Sequence, residues 1–335
     1  MNLENVLRKI SVSKIMDFKS IAEANKILEI RVGSHLFGTN TLDSDLDLSG
    51  IFMPCEEMVY GFQNCEEVDL SIVSKDDTGR NTAEAVDQKY YEFRKFVRLA
   101  MQNNPNILHH LFVDEKNIVQ SNDIGRRLLA KAEIFPTKGA HHRFVKYADS
   151  QRHKMQIKPE NYAALEEGLE ILRGMNNYVV MIELKDKKPF SCVGKERNIR
   201  LGDLTFSPRI PVRKAKCMIE DRLSKATNRV QLFTKYGFDV KFASNLIQLL
   251  MEGIELMNTG RIVMPLAYRQ DILSIKNGKY PIEHIMTWAD SLVEEARSAY
   301  ETSKLPAEPR SKEIEAFVMF EVRNFLAIER CCVKT

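Results

Sequence analysis

The 335-residue chain is short of the features that mark several broad protein classes. It has no apolar run near the ~20 residues that a membrane-spanning helix needs. The opening "MNLENVLRKISVSK" has no apolar stretch of the kind a secretory leader carries. The six cysteines are Cys55, Cys65, Cys192, Cys217, Cys331 and Cys332, and no two stand in a C-x-x-C pair. That spacing suggests neither a structural zinc site nor a disulfide framework. Internal repeats and low-complexity tracts are also missing. The expectation from these absences is a chain with reduced thiols, located in the cytoplasm and away from membranes.

Enough apolar sequence is present, at 44%, to bury a substantial core, and the length suggests two domains. The net charge of +3 conceals an uneven distribution. From Asp43 to Glu92 there are thirteen acids against three Lys or Arg; from Arg126 to Lys158, nine basic residues against two acids. From Pro189 to Lys235 the ratio is eleven to four. An acidic front followed by basic stretches fits a cation site facing a phosphate-rich partner, and it fits solvated helix faces equally well.

Hydrophobic periodicity divides the chain. Residues 28–33, 46–53, 66–73 and 82–88 read as short strands, and 90–104 as a helix with Phe93, Phe96, Val97 and Ala100 on one face. After Pro105 the pattern is almost entirely helical. In "FASNLIQLLMEGIELMNTG", Ile247, Leu250, Met251, Ile254 and Met257 share a face and Gly260 stands where the helix should stop. Residues 185–214, with three prolines and two glycines, read as an ordered connection or a mobile basic loop. The fold expected is α+β: a small mixed sheet with flanking helices over 1–120, then a mostly helical domain over 121–335.

The stretch "RVGSHLFGTNTLDSDLDLSGIFMP" (31–54) holds the chemistry. On a strand, Asp45 and Asp47 point to one face while Leu46 and Leu48 point to the other. Neighbouring carboxylates repel, and a hard divalent cation relieves that repulsion; oxygen-only ligands suit Mg²⁺ or Mn²⁺. A third carboxylate from a neighbouring strand would complete a site for two ions, the arrangement used in nucleotidyl transfer. Gly33 and Ser34, between a strand and a short helix, offer close backbone approach and a hydroxyl to a nucleotide's phosphates.

Gly-Ser followed by D-x-D resembles the signature of DNA polymerase β-like nucleotidyltransferases. The likeness extends through "DQKYYEFRKFVRLAMQNNPNILHHLF", "HHRFVKYADSQRHKM", "YGFDVKFASNLIQLLMEGIELMNTGRIVMP" and "SKLPAEP". Together these resemble the predicted nucleotidyltransferases of the RNA repair pathway DNA polymerase beta family of bacteria and phages. The resemblance implies a polymerase β-like catalytic domain and a helical, substrate-binding remainder. It implies transfer of a nucleoside monophosphate from an NTP, ATP among the candidates, to a hydroxyl, on an RNA end. For a phage-encoded chain the location would be the host cytoplasm. Members often carry His and Arg where this chain has Asn245 and Gln248, and Gly where it has Lys146.

The expected metal ligands and catalytic residues are Asp45, Asp47 and Asp87, the last matching the family pattern, with Asp69 as the alternative third carboxylate. Gly33, Ser34 and Lys241 are the nucleotide-binding candidates. Arg143, Lys146, Gln151 and Lys154, with Arg152 among them, are the candidate RNA-binding face, a solvated helix face being the other reading. His109 and His110 read as packing or surface residues, and His35 as a possible loop cap. Two further functions stay open: AMP transfer to a protein side chain, and RNA binding without catalysis.

Overall fold

The computed structural model describes residues 16–41, 44–74, 85–155, 159–224 and 235–332. Residues 1–14, Asp43, the first part of the expected 82–88 strand, and Lys158, Lys225 and Arg229 of the basic stretches lie outside them. In chain order the elements are α1 (Phe18–Ala24), β1 (Lys26–Arg31), α2 (Gly33–Phe37), β2 (Leu46–Phe52), α3 (Glu56–Tyr60), β3 (Glu67–Asp69) and β4 (Val86–Glu92). They continue with α4 (Phe93–Met101), α5 (Pro105–Leu108), β5 (Ile118–Ser121), α6 (Asp123–Ala130), α7 (Gly139–Met155) and α8 (Pro159–Arg173). Next come β6 (Ser191–Val193), β7 (Asn198–Leu201), β8 (Leu204–Phe206), α9 (Val212–Ser224) and α10 (Val240–Thr259). The last are α11 (Arg269–Lys276), α12 (Ile282–Thr302) and α13 (Ser311–Cys332). Among the described residues no helix is long and apolar enough to cross a membrane.

Two compact units divide the chain. One takes the described residues of Met1–Ala148, Ile247–Leu273 and Trp288–Thr335, and the other Asp149–Leu246 and Ser274–Thr287. The boundary expected at 120/121 falls inside the first unit, because later segments return to it. Arg127 on α6 donates twice to Glu321 on α13, at 2.6 and 2.7 Å, and Glu321 is 1% exposed. A carboxylate buried that far needs its partner, so α6 and α13 are bound into one body.

The first unit is built on a mixed five-stranded sheet in the order β3-β4-β2-β1-β5. β1 runs antiparallel to β2 and β5, β3 antiparallel to β4, and β2 and β4 run parallel. The expected mixed sheet is therefore present, with one extra strand, β5. β4 differs from the sequence reading in extent. It covers Val86–Glu92 rather than 82–88, and helix α4 starts at Phe93 rather than at 90. The whole of β4 pairs with β2, and Glu92 then caps α4 by accepting from the Arg94 and Lys95 N–H groups at 3.0 and 3.3 Å. Phe93, Phe96, Val97 and Ala100 are all buried, as their spacing predicts.

In the second unit, α8 and α9 pack with the 3₁₀ turn Met181–Leu184 and the antiparallel sheet β6-β7-β8. Leu165, Leu172, Met181, Ile199, Leu201, Phe206 and Ile219 form its core. The stretch read as a connection or mobile loop thus contains a small ordered sheet. Its strands are three or four residues long, too short to show a period. α10 carries Ile247, Leu250, Ile254 and Met257 buried and ends at Gly260, as expected.

Candidate active site

The site is assembled where β1 ends and β2 and β4 begin. After Arg31 the Val32 N–H donates to the Asp47 carbonyl at 2.9 Å, which holds the turn against the start of β2. Gly33 follows with φ +61°, left-handed backbone that favours glycine. A Cβ there would also collide with a carboxylate oxygen of Asp47. Glycine is thus required both by the turn and by the aspartate beside it. Ser34, half-buried, sits in the single turn of α2, and its carbonyl accepts from the Thr39 N–H at 2.9 Å.

Asp47 is the second residue of β2 and Asp87 the second of β4, and the two are register partners in the parallel pair. Register partners lie about 4.8 Å apart with side chains on one face, so the sheet sets carboxylate beside carboxylate. Asp87 is exposed and lies near the beginning of its strand, whereas the expected 82–88 strand would have put it next to the last residue. Asp45 is exposed just ahead of β2. Among the described residues, no three His, Cys, Asp or Glu side chains are gathered about one point as a preformed ion site.

Asp69 occupies a different place. It is on β3, the sheet's edge strand, so that β4 separates it from β2, and its register partner is Lys89. The Ser71 hydroxyl and the Ser71 N–H, the latter at 2.9 Å, hydrogen-bond its carboxylate and hold its pKa below the ordinary range. Only Asp87 meets the requirement of lying on a strand adjacent to the Asp45–Asp47 segment.

One residue on this face was not legible in the sequence. Ser49 lies two residues beyond Asp47 on β2; it is 5% exposed, and its hydroxyl has no hydrogen-bond partner. An orphaned hydroxyl, an all-oxygen donor set and a glycine leaving room for Asp47 suit a hydrated hard cation. The opposite face also went unread. There Glu29 accepts from the Lys26 ammonium at 2.9 Å, the Gln88 amide at 2.7 Å and the Tyr90 hydroxyl at 2.5 Å. Burial pushes the Glu29 pKa upward, but the Tyr90 and Lys26 bonds outweigh it and leave it lowered. Burial, reinforced by the Glu29 bond, lifts Tyr90 to about 12. The Tyr90 ring crosses Gly50, where a Cβ would strike it.

The remaining candidates are spread more widely. His109 and His110 are buried and stacked on each other with centroids 4.8 Å apart, packed edge-on against Phe37 and Phe96. Burial drops His109 to about 4 and pushes His110 well below its usual value, consistent with packing residues. His35 is half-buried in α2. Arg143 and Lys146 are exposed on α7 in the first unit, while Phe144 and Ala148 face inward. In the second unit Gln151 is half-buried, and the exposed Lys154 lies over the Phe242 ring at 5.9 Å. Lys241, also in the second unit, is exposed in the first turn of α10, where the Asp239 carboxylate accepts from its N–H at 2.9 Å. Gln248, at one of the positions departing from the family pattern, is buried and donates to Glu252 at 2.7 Å.

Comparison with known proteins matches residues 8–189, more than half of the chain, to the model of the RNA repair pathway DNA polymerase beta family. An uncharacterized 38.9 kDa protein from the nrdC-mobD intergenic region of Enterobacteria phage T4 is 23% identical over 296 residues. That match covers 80% of this chain and 87% of the phage protein. Among solved structures, a nucleotidyltransferase-like protein from Exiguobacterium sibiricum aligns with 90% of this chain and 75% of its own at 10% identity and a TM-score of 0.26.

Proposed function

We propose, from the premise that the chain belongs to the RNA repair pathway DNA polymerase beta family and is a nucleotidyltransferase, that it transfers an NMP from an NTP to a hydroxyl on an RNA end. The observation that carries this reading is the register pairing of Asp47 with Asp87 beside Gly33. A binding module gains nothing from adjacent carboxylates, whose repulsion is relieved by a cation.

In this reading Asp45, Asp47 and Asp87 hold two divalent ions, Mg²⁺ or Mn²⁺. The ions supply charge neutralisation for the triphosphate and a lowered pKa for the attacking hydroxyl. Gly33 admits the phosphates close to the backbone, and the Ser34 hydroxyl donates to a phosphate oxygen. In this reading the acceptor's proton passes to the Asp87 carboxylate, which is exposed and is the register partner of Asp47. The acceptor oxygen forms a bond to the α-phosphorus as the bond to the pyrophosphate oxygen breaks. Within the first unit, the exposed Arg143 and Lys146 contribute charge toward an RNA backbone. A cytoplasmic location belongs to the same reading.

The test is to incubate the protein with each α-labelled NTP, Mg²⁺ or Mn²⁺, and an RNA pool. Label on RNA supports the proposal. Label on protein would replace it with AMP transfer to a side chain, and label on neither would leave RNA binding as the activity.

A further inference from the structure

We infer that Ser49 is a positioning residue of the carboxylate site, its hydroxyl hydrogen-bonding water carried by a divalent cation at Asp47 and Asp87. The inference rests on the metal-dependent reading proposed above. Ser49 follows Asp47 by two positions on β2, and its register partner Lys89 follows Asp87 by two on β4, so the four residues share a face. Nearly all buried polar groups in folded proteins are hydrogen-bonded. A serine 5% exposed with an unpartnered hydroxyl is therefore a site where alanine would be more stable, unless the missing partner arrives with a ligand.

The surroundings limit where that partner can come from. On the β1 side Ser49 is opposite Ile30, 1% exposed, and the next residue of β2 on this face is Ile51, also 1% exposed; neither side chain offers a polar atom. On the β4 side, Lys89 reaches away to Glu67 at 3.1 Å and lies over the Tyr91 ring. Along these strands, the other polar side chains on this face are those of Asp47 and Asp87. Magnesium-type ions bound through one or two carboxylates keep several waters, and a hydroxyl accepts from such a water while donating to a carboxylate oxygen. Residues that orient ligands in this way typically change metal affinity 10–100-fold when removed.

The test measures Mn²⁺ binding directly, by the electron paramagnetic resonance signal of free Mn²⁺, together with the melting temperature in EDTA. Ser49→Ala should weaken Mn²⁺ binding about tenfold while melting in EDTA no lower than the wild type. Ser49→Thr, which keeps the hydroxyl, should bind within about threefold of wild type; should its added methyl unfold the protein, the EDTA melt shows it and the alanine variant decides alone. Wild-type Mn²⁺ affinity in Ser49→Ala would overturn the inference, as would a clearly lowered melting temperature in EDTA, which marks a purely structural bond. A wild-type chain that binds no Mn²⁺ would overturn the metal-dependent reading itself, and this inference with it.

Discussion

Two glutamates of the first unit are both shielded from solvent and sit in opposite states. Glu29, on the sheet face away from Asp47, is 6% exposed and receives hydrogen bonds from Lys26, Gln88 and Tyr90. Glu252, inside α10, is 1% exposed, with Gln248 as its hydrogen-bond donor. The first is held ionised. The second is pushed up to about 8, first by burial and further by the nearby Glu255, so it carries its proton at neutral pH. Burial raises both, far more strongly at the deeper Glu252, while at Glu29 the Tyr90, Lys26 and Gln88 bonds reverse the sign. Asp47 and Asp87 form a third arrangement, acid set beside acid across the strand pair. A carboxylate surrounded by the protein's own donors is structural; the Asp47–Asp87 register pair instead sets two acids side by side, the arrangement on which the proposed cation site rests.

The largest effect expected from this contrast is at the acid pair. Replacing Asp45 and Asp47 together with Asn should abolish nucleotidyl transfer while leaving the melting temperature near wild type, since Asn is isosteric and removes a repulsion. Residual transfer near wild-type rate would break the assignment. Asp87→Asn should lower turnover by several orders of magnitude and leave Mg²⁺-NTP binding nearly normal. Asp69→Asn, on the edge strand, should change both only slightly. The reverse pattern in single-turnover and equilibrium-binding measurements would move the third-ligand role to Asp69.

A smaller effect separates the two glutamates. Glu29, with its folded pKa lowered, contributes stability that is present above its ordinary pKa near 4.5 and lost as pH falls through the folded value. Glu29→Gln should therefore destabilise the neutral protein by about 2 kcal/mol and flatten the acid limb of a melting-temperature profile. Glu252 has the opposite sign. Its raised pKa means stability is full below the ordinary value near 4.5 and is lost as pH rises through about 8. Glu252→Gln should hold its melting temperature between pH 6 and 9 where wild type declines. If both variants shift the profile in the same direction, the donor argument is wrong.

The smallest effect concerns the basic face of α7. Charge reversal at the exposed Arg143 and Lys146 should weaken RNA binding and reduce the slope of log affinity against log salt, by about 0.7 for each phosphate no longer neutralised. NTP binding should hardly change. A flat salt dependence in the wild type would return this face to ordinary solvated charge.

Much of the local layout of the candidate site was readable in the sequence, because its clues are local. Gly33-Ser34, the Asp45–Asp47 pair and the β2 pattern lie within one short stretch, and strand alternation alone puts two aspartates on one face. The buried stripe of α10 and its stop at Gly260 were readable for the same reason. Which of Asp87 and Asp69 pairs beside Asp47 was not, since both lie in strand-like segments and strand order is not written in either. Nor was the start of α4, where Tyr90 and Tyr91 suit a helix face as well as a strand paired with β2.

By itself, then, the sequence determined which residue types stand close along the chain: the glycine turn, the two acids, and the periodic faces that make strands and helices. Tertiary structure alone decided what depends on contacts between distant segments. It set Asp87 opposite Asp47, left the Ser49 hydroxyl buried without a partner, and closed the Glu29–Tyr90 bond across Gly50. It also brought Glu321 back to Arg127, moving the unit boundary past 120. The physical reason is the range of the forces that write each signal. Backbone sterics and side-chain periodicity act over a few residues, whereas register and desolvation are set by whichever strand or helix is packed alongside.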